Sequence, residues 1–178
     1  MVQILGRDYI EAPLLVANAL QNLATARTLL PLASSQGTLT YLTERIQYDN
    51  QLINSLPCVI VDINPATTIP YRYMGTELAR GVPLVIVLMT PVTAYLDDVV
   101  DAADRDARIL AADTDIKTML GDLEEVMNSE PVRLRIGKHL EIQRAGIAFD
   151  EFEFEENTHI HARVAEMWLT AWSYVKNQ

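Results

Sequence analysis

The chain has 178 residues, a length typical of a single domain with a substantial buried core. Hydrophobic residues make up 49% and charged residues 21%, the balance of a globular protein rather than a disordered one. The formal net charge of −10 disfavours tight nucleic-acid binding, which requires basic side chains against the phosphates. One cysteine excludes an internal disulfide, and no apolar run is long enough to cross a bilayer as a helix.

The first sixty residues contain one clear pattern and one ambiguous one. Pro13 has the position of a first-turn proline, and Pro31 ends the pattern that follows it. Between them the apolar residues have helical spacing: Leu15, Val16, Ala19, Leu20, Leu23, Ala26 and Leu30. We therefore expect an N-terminal helix. Residues 38–56 keep a helical spacing of apolar residues, yet their threonines around Tyr41 favour a strand.

Two buried strands are predicted next, on either side of a polar excursion. PCVIVD begins at Pro57, and GVPLVIVLMTP begins at Gly81 and is apolar on both faces, which is typical of a central strand. Residues 62–80 between them are rich in proline and threonine, and we expect a long loop or a projecting hairpin there. The candidate contact residues of this excursion are Tyr71, Arg72, Tyr73 and Met74.

Residues 92–127 have the strongest helical pattern of the chain. One side would carry Leu96, Val99, Val100, Ala103, Ala107 and Leu110, and the pattern repeats at Ile116, Met119, Leu120, Leu123 and Met127. Asp113 or Thr114 is a candidate cap for a second helical segment. We expect a long central helix.

From Val132 the apolar period changes to two, which predicts a run of antiparallel strands at the end of the chain. Near the C-terminus, Trp168, Trp172 and Tyr174 would share one face of a strand, while a helical stripe through Met167 and Ala171 remains the alternative. The sequence therefore predicts one α+β domain over residues 1–178. Its sheet would be mixed but largely antiparallel, packed against the N-terminal helix and the long central helix.

The stretch FEFEENTHIHAR, residues 152–163, concentrates acids and histidines, and a hairpin explains it. A three-residue turn at Glu156, Asn157 and Thr158 puts the aromatic residues on one face. The same register pairs Phe154 with Ile160, Glu155 with His159, Glu153 with His161, and Glu151 with Arg163. The interpretation is a solvated ladder of paired charges. The alternative is a metal site formed by His159, His161 and Glu153, and we expect no bound metal.

An acidic cluster lies at the start of the predicted central helix. Asp97, Asp101 and Asp104 have the spacing of one helix face. The alternating oxygen ligands and central glycine of a calcium loop are absent, so the interpretation is a solvated acidic face.

Residues with catalytic chemistry do not form a known signature. The sequence contains no GxGxxG, GxxxxGK[ST], HExxH, GxSxG or CxxC motif. Cys58 lies at the start of an apolar strand, which predicts a buried, unreactive thiol. We expect neither an enzyme nor a cofactor.

The order of elements resembles the tail terminator proteins of tailed bacteriophages. It consists of an N-terminal helix, the strand LPCVIVD, a Pro/Thr-rich excursion, the strand VPLVIVLM, a long acidic helix and closing strands. The resemblance covers most of the chain but lies in order and length, and the long 62–80 excursion departs from it. It implies a ring, expected to be a hexamer, that caps the tail tube and joins it to the head.

Further expectations follow from this resemblance. The partners would be other copies of the chain, the tail tube protein, and neck or head-completion proteins, with DNA passing unbound through the channel and no membrane contact. The acidic face at Asp97, Asp101 and Asp104 would line the channel or the outside of the ring. The protein would assemble in the host cytoplasm and remain in the neck or tail of the virion. Two alternatives stay open, a different head-closure or tail-completion protein and a small cytoplasmic enzyme or ligand-binding domain with a scattered site.

Overall fold

The computed structural model describes residues 13–14, 16–18, 20, 40–42, 54–64, 71–74, 77–128, 140–153 and 161–175. The described residues include six strands and a long helix, numbered here in chain order: β1 Thr40–Leu42, β2 Cys58–Ile63, β3 Tyr71–Met74, β4 Glu77–Val92, α1 Ala102–Asn128, β5 Leu140–Glu153 and β6 His161–Val175. Of the residues that the sequence left ambiguous, 40–42 are strand and 54–55 are helical.

The strands form one mixed sheet that is largely antiparallel. Its order is β1-β2-β4-β6-β5, and β3 pairs separately with the first residues of β4. β1 and β2 are parallel, whereas the pairs β2–β4, β3–β4, β4–β6 and β5–β6 are antiparallel. The predicted α+β class, with a largely antiparallel sheet packed against helices, is confirmed.

β4 is the central strand of the sheet, as its apolar sequence predicts, but it is longer than predicted. It begins at Glu77 rather than Gly81. The extra residues 77–80 pair with β3 on one side, and residues 78–80 also pair with β6 on the other, so the backbone groups of 78–80 have neighbours on both edges. In the excursion after β2, the described residues therefore form a hairpin of β3 and the start of β4.

The main core lies between the sheet and the helices. The residues of the sheet face that the helices cover are Val59, Val61, Val82, Leu84, Ile86, Leu88, Ala165, Met167, Leu169 and Ala171. They pack with Val16 and Leu20 of the N-terminal helical positions and with Met119 and Leu123 of α1. The N-terminal helix is thus confirmed at its described residues, where Pro13 is helical and buried. The opposite sheet face is also buried and carries a second apolar cluster that includes Ile60, Val85 and Val87.

α1 differs from the predicted helix at its start and in its middle. Residues 93–101 are turns and bends, because β4 continues to Val92 and the chain must reverse before the helix begins. The predicted second segment is also wrong, since α1 is continuous to Asn128. The Thr114 hydroxyl donates to the Leu110 carbonyl (2.8 Å), a bond that keeps Thr114 inside the helix rather than at a cap.

The two apolar stripes predicted for the central helix have different environments. The second stripe, from Ile116 to Leu123, is buried against the sheet. The first is not, since the side chains of Val100 and Leu110 are 86% and 67% exposed. The first two turns of α1 contain no buried residue, and burial on the helix begins at Ala112. Four of the eleven residues of the predicted core stripe are therefore exposed: Val100, Ala103, Ala107 and Leu110.

β5 and β6 have the register that the charge pattern predicted. Glu153 pairs with His161, Glu151 with Arg163, and Phe152 with Ala162; the turn residues 154–160 lie outside the described part of the chain. β6 continues to Val175, so the strand alternative for its tryptophans is correct. A bulge between Arg144 and Gly146 shifts the register, and a Cβ at Gly146 would lie 3.0 Å from Cε3 of Trp168. The indole thus takes the space that a side chain at position 146 would fill.

The two environments of α1 predict a large difference between two leucine truncations. Leu123→Ala should lower the free energy of unfolding by about 3 kcal/mol, because Leu123 is 0% exposed within the main core. Leu110→Ala on the same helix should change it by less than about 0.5 kcal/mol. Urea unfolding of both variants measures the difference, and equal losses would show that Leu110 also belongs to the core.

Candidate functional site

A network of polar side chains lies between α1 and the ends of β5 and β6. Nε of Arg163 donates to Oδ1 of Asp113 (2.7 Å), and Nη1 of Arg163 donates to Oε2 of Glu151. Asp113 lies on the helix and Glu151 on the neighbouring strand. Arg163 therefore ties the helix to the sheet at a point where its side chain is only partly exposed.

His161 extends this network towards the turn before α1. Its Nδ1 lies 3.3 Å from Oε1 of Glu151, and its ring is 4.3 Å from the ring of Tyr95, measured between centroids. The sequence predicted a fully solvated ladder in which each histidine meets the acid directly opposite. That environment is wrong for His161 and Arg163, because both face the helix side of the sheet and are largely covered. Glu151, one partner of His161, lies two residues along β5 from its register mate Glu153.

This network has the character of a structural clamp rather than a catalytic group. The Asp113 carboxylate and the Glu151 carboxylate each form an ion pair with Arg163. A general base needs a carboxylate that is free to accept a proton from a substrate, and these two are already occupied. Within the described residues, no group of three His, Cys, Asp or Glu side chains has a geometry that would hold a metal ion. His159 and Glu155, which the sequence paired, lie outside those residues, so the expectation of no metal at His159 stays a prediction.

The acidic residues around the start of α1 do not form one face of the helix, and one of them, Asp101, caps it. Asp97 lies in the turn before the helix, and Asp101 is the residue before its first turn. Oδ1 of Asp101 accepts from the N–H of Asp104 (2.8 Å), the bond of an N-cap residue. The predicted common helix face of Asp97, Asp101 and Asp104 is therefore wrong, because the helix begins only at Ala102.

Arg108 fixes the turn to the helix. It donates to both carboxylate oxygens of Asp98 (2.9 and 3.3 Å), to Asp104 (3.2 Å) and to the carbonyl of Thr93 (3.2 Å). The hydrogen bond from Arg108 lowers the pKa of Asp104, and the N–H of Val100 adds to this effect. The acidic cluster is thus partly neutralised within the chain, which leaves less of it to repel an approaching anion.

Asp115 is the one described residue with a shielded side-chain oxygen that lacks a hydrogen-bond partner; the atom is Oδ2. Burial raises the pKa of this carboxyl above its usual value. An acid with a raised pKa is held in an environment that disfavours its charged form. The charged form of Asp115 therefore lowers the free energy of unfolding at neutral pH.

A cavity of about 300 Å³ lies beside the clamp, between α1 and the outer strand β5. Its lining residues are Asp113, Ile116, Lys117, Phe149, Asp150, Arg163 and Val164. Ile116 is buried and faces the sheet, Phe149 is 57% exposed, and Val164 belongs to the apolar cluster on the opposite sheet face. Lys117 is exposed and makes no ion pair with any residue of the described chain. The cavity therefore combines apolar surface with two acidic and two basic residues: Asp113, Asp150, Lys117 and Arg163.

The remaining predicted residues are placed as follows. Cys58 is fully buried, and burial raises the pKa of its thiol to about 12, so the prediction of an unreactive thiol is confirmed. Tyr71, Arg72, Tyr73 and Met74 form β3, opposite Arg80, Ala79, Leu78 and Glu77 in turn. Their role as contact residues stays a prediction, since it depends on a partner.

Sequence reasoning missed the sites that unite α1 with the sheet. Arg163 lies fifty residues from Asp113, and no local pattern joins them. Lys117 and Phe149 are brought together only by the packing of α1 over β5 and β6. The sequence did predict the cross-strand pair of Glu151 and Arg163, which gives the correct position of Arg163 in the sheet. It gave no indication that Arg163 also contacts the helix.

Comparison with known proteins does not identify the chain. No protein-family model matches it, and no curated protein matches it. Among the described residues, no helix has both the length and the apolar character needed to cross a membrane.

The N-cap assignment predicts different effects for two exposed aspartates. Asp101→Ala should lower the free energy of unfolding by about 1 kcal/mol, because the N–H of Asp104 loses its acceptor. Asp97→Ala, in the turn, removes the same charge without removing a cap and should change stability by less than about 0.5 kcal/mol. Thermal unfolding of both variants provides the test, and equal effects would contradict the assignment.

Asp115→Asn should raise the melting temperature at pH 7. The raised pKa of Asp115 means that its charged form is disfavoured in the folded state, so removing the charge is stabilising at pH values above the folded-state pKa. The gain should shrink as the pH falls towards 3.8, the ordinary value, where the native carboxyl is protonated. Melting curves from pH 3 to 7 measure this, and a pH-independent effect would show that burial of the charge is not its cause.

Proposed function

We propose that the chain is a structural subunit of a bacteriophage neck or tail, which assembles as a ring, caps the tail tube and joins it to the head. The resemblance in the order of elements supports the identity of the assembly. The structure contributes a separate argument for assembly itself, which comes from the outer surface of α1.

The outward side of α1 is uncharged over five turns. Its residues, here called the outer strip, are Ala103, Ala107, Leu110, Ala111, Thr114, Thr118 and Gly121, and all are exposed. The centre of a solvent-facing helix side normally carries charged or strongly polar residues. In this chain the charged residues flank the strip instead, as Asp104, Asp106, Lys117 and Asp122 illustrate.

The two threonines of the outer strip present less polarity than their side chains suggest. The Thr118 hydroxyl donates to the Thr114 carbonyl at 2.8 Å, as the Thr114 hydroxyl does to Leu110. With their hydroxyls engaged in the helix, both residues add methyl groups to the outer surface. Val100, two residues before the helix start, is also largely exposed.

An apolar strip suits a subunit that carries a net charge of −10. Copies of such a chain repel one another at long range, so their contacts must be largely apolar or locally charge-matched. Exposed apolar surface of this kind commonly marks a protein–protein interface. The outer strip is therefore the observation that carries the proposal of an assembling, non-catalytic subunit.

The ring proposal also gives the charge a function. A channel lined with carboxylates repels DNA phosphates, so the duplex can slide through it without binding. At physiological salt this repulsion is strongest within a Debye length of about 8 Å. Asp97 and Asp101 are exposed and are the candidates for such a lining, together with Asp104. The expected ring is a hexamer.

Leu110→Glu tests the proposal against a matched control. It introduces one negative charge into the centre of the outer strip without touching the core, and it should abolish ring formation on the tail tube. Arg105→Gln changes the net charge by the same amount at an exposed position outside the strip and should leave assembly intact. The measurement is electron microscopy of tube ends after mixing each protein with the tail tube.

Four results would contradict the proposal. Uncapped tube ends with the native protein would exclude the terminator role, and a cap at the head side alone would favour a different neck protein. Turnover of a small molecule by the purified chain would replace the structural function with an enzymatic one. Capping by Leu110→Glu at the native level would remove the outer strip as the assembly surface.

A further inference from the structure

We infer that the outer strip of one subunit packs against the sheet of the next, with Trp168 of the second subunit seated at Gly121 of the first. This contact deepens the proposed function, on which it rests, because it names the surface that each copy offers to its neighbour. The contact is head to tail, since the outer strip lies on the helix side of the subunit and Trp168 on the opposite sheet face.

Gly121 is an exposed glycine inside α1. A glycine in a helix interior is less favourable than an alanine, because it restricts the unfolded chain less. The packing of the subunit does not require this glycine, since a Cβ at position 121 would meet nothing within 4 Å apart from the local helix backbone. The close approach of a second molecule to the helix at this point explains why no side chain is present.

Trp168 is an exposed aromatic side chain that the subunit holds in one orientation. It is 37% exposed. Its ring lies against Gly146, and its Nε1 donates to Oε2 of Glu166 (3.3 Å). A side chain that is already fixed loses little conformational entropy on binding, and tryptophan is enriched among the residues that dominate interface energies. Trp168 therefore has the properties of an interface anchor.

Trp168 and α1 lie on opposite sides of the sheet. Trp168 pairs with Val85, which belongs to the apolar cluster on the face away from the helices. α1 packs on the other face through Met119 and Leu123. A contact between the outer strip and Trp168 thus joins two different surfaces, and such contacts add subunits in one direction until a ring closes.

The two surfaces complement each other in shape and charge. The missing side chain at Gly121 leaves a gap in the helix surface that a flat indole ring can occupy. Lys117 lies about one turn before Gly121, where its cation can approach the face of that ring. On the sheet face of Trp168, β6 and β5 carry the acids Glu166 and Asp150, which favour the approach of a cation.

The outer strip is less suited to contact with a second outer strip. Two strips packed against each other would form a closed pair, which leaves no equivalent surface for a third subunit. They would also bring the flanking acids Asp104, Asp106 and Asp122 of one copy close to those of the other. The favoured occupant of the strip is therefore the Trp168 face of a second copy.

The test cross-links two variants of the full chain, each with one added cysteine. Thr118→Cys places a thiol on the outer strip beside Gly121, and Ala148→Cys places one opposite Glu166 on the face of Trp168. The variants are treated with a short bismaleimide, separately and mixed, with and without tail tubes. The expected product contains one chain of each variant and does not form from either variant alone. The native chain is the control, because its Cys58 is buried.

Gly121→Leu, introduced into the Thr118→Cys chain, tests the seat of Trp168. Leucine is a better helix former than glycine and has open space here, so the melting temperature should rise by about 2–4 °C. The yield of mixed product should nevertheless fall about tenfold, because the added side chain fills the gap that the indole needs. A lower melting temperature would show that the subunit itself requires the glycine and would overturn the inference.

Lys117→Gln and Arg105→Gln form a matched pair of charge removals on exposed residues of α1. Lys117→Gln should weaken the contact by about twofold to fivefold, the size of an exposed cation–π interaction. Arg105→Gln lies outside the outer strip and should leave the yield unchanged. Equal effects of the two variants would show that only the net charge matters and would contradict the assigned contact.

Electron microscopy of the same tubes separates this inference from the proposed function. Capped tube ends with no mixed product, or with a product from Thr118→Cys alone, would overturn the inference and leave the terminator role in place. A mixed product without caps would support the contact and contradict the terminator role. Uncapped tubes with no product would overturn both. An unchanged yield with Gly121→Leu would exclude Gly121 as the seat of Trp168.

Discussion

The pairing of β4 with β6 is the interaction on which the rest of the structure depends. It runs without a break from Leu78 opposite Val175 to Val92 opposite His161. Because β4 is apolar on both faces, it contributes to the core beneath the helices and to the cluster on the opposite side. β2, β3 and β5 then attach to this pair, and the length of β4 decides where the chain must turn before α1. The position of the N-cap, the Arg108 contacts and the clamp at Arg163 all follow from that turn.

α1 performs two tasks with two parts of its surface. From Ala112 onwards it supplies apolar side chains to the core. Before Ala112, its contacts with the rest of the chain include the polar ones of Arg108 and the packing of Ile109 against Val92 and Ala94. The exposed apolar residues in this part of the helix add little to the core, so the stability of the fold does not explain them. An acidic chain that must associate needs such surface, because charge opposes contact between its copies at long range. This division of α1 connects the fold to the proposed assembly.

The sequence correctly predicted the features that depend on local periodicity. The predictions failed for features that depend on contacts between residues far apart in the chain. The α+β class, the central position of β4 and the β5–β6 register were accessible, because alternation and charge pairing allow only one arrangement of Glu151, Arg163 and their neighbours. The burial of the first helical stripe was predicted wrongly, since a stripe indicates an apolar face but not whether a sheet lies beneath it. Asp101 was wrongly assigned to a helix face. A spacing of three residues to Asp104 fits two positions on one helix face, but it equally fits a cap and the third residue of the first turn. The cavity could not be predicted, because it forms only where α1 crosses β5 and β6.

Hydrogen exchange, compared between dispersed subunits and subunits bound to tube ends, tests most directly whether the outer side of α1 is the assembly surface. The account predicts that amides of residues 102–111 exchange rapidly in the dispersed chain, because this part of the helix has few buried contacts, and become protected on assembly. Amides of β4 and β6 should be protected equally in both states. Protection of residues 102–111 that is already maximal in the dispersed chain, or unchanged by assembly, would contradict the account.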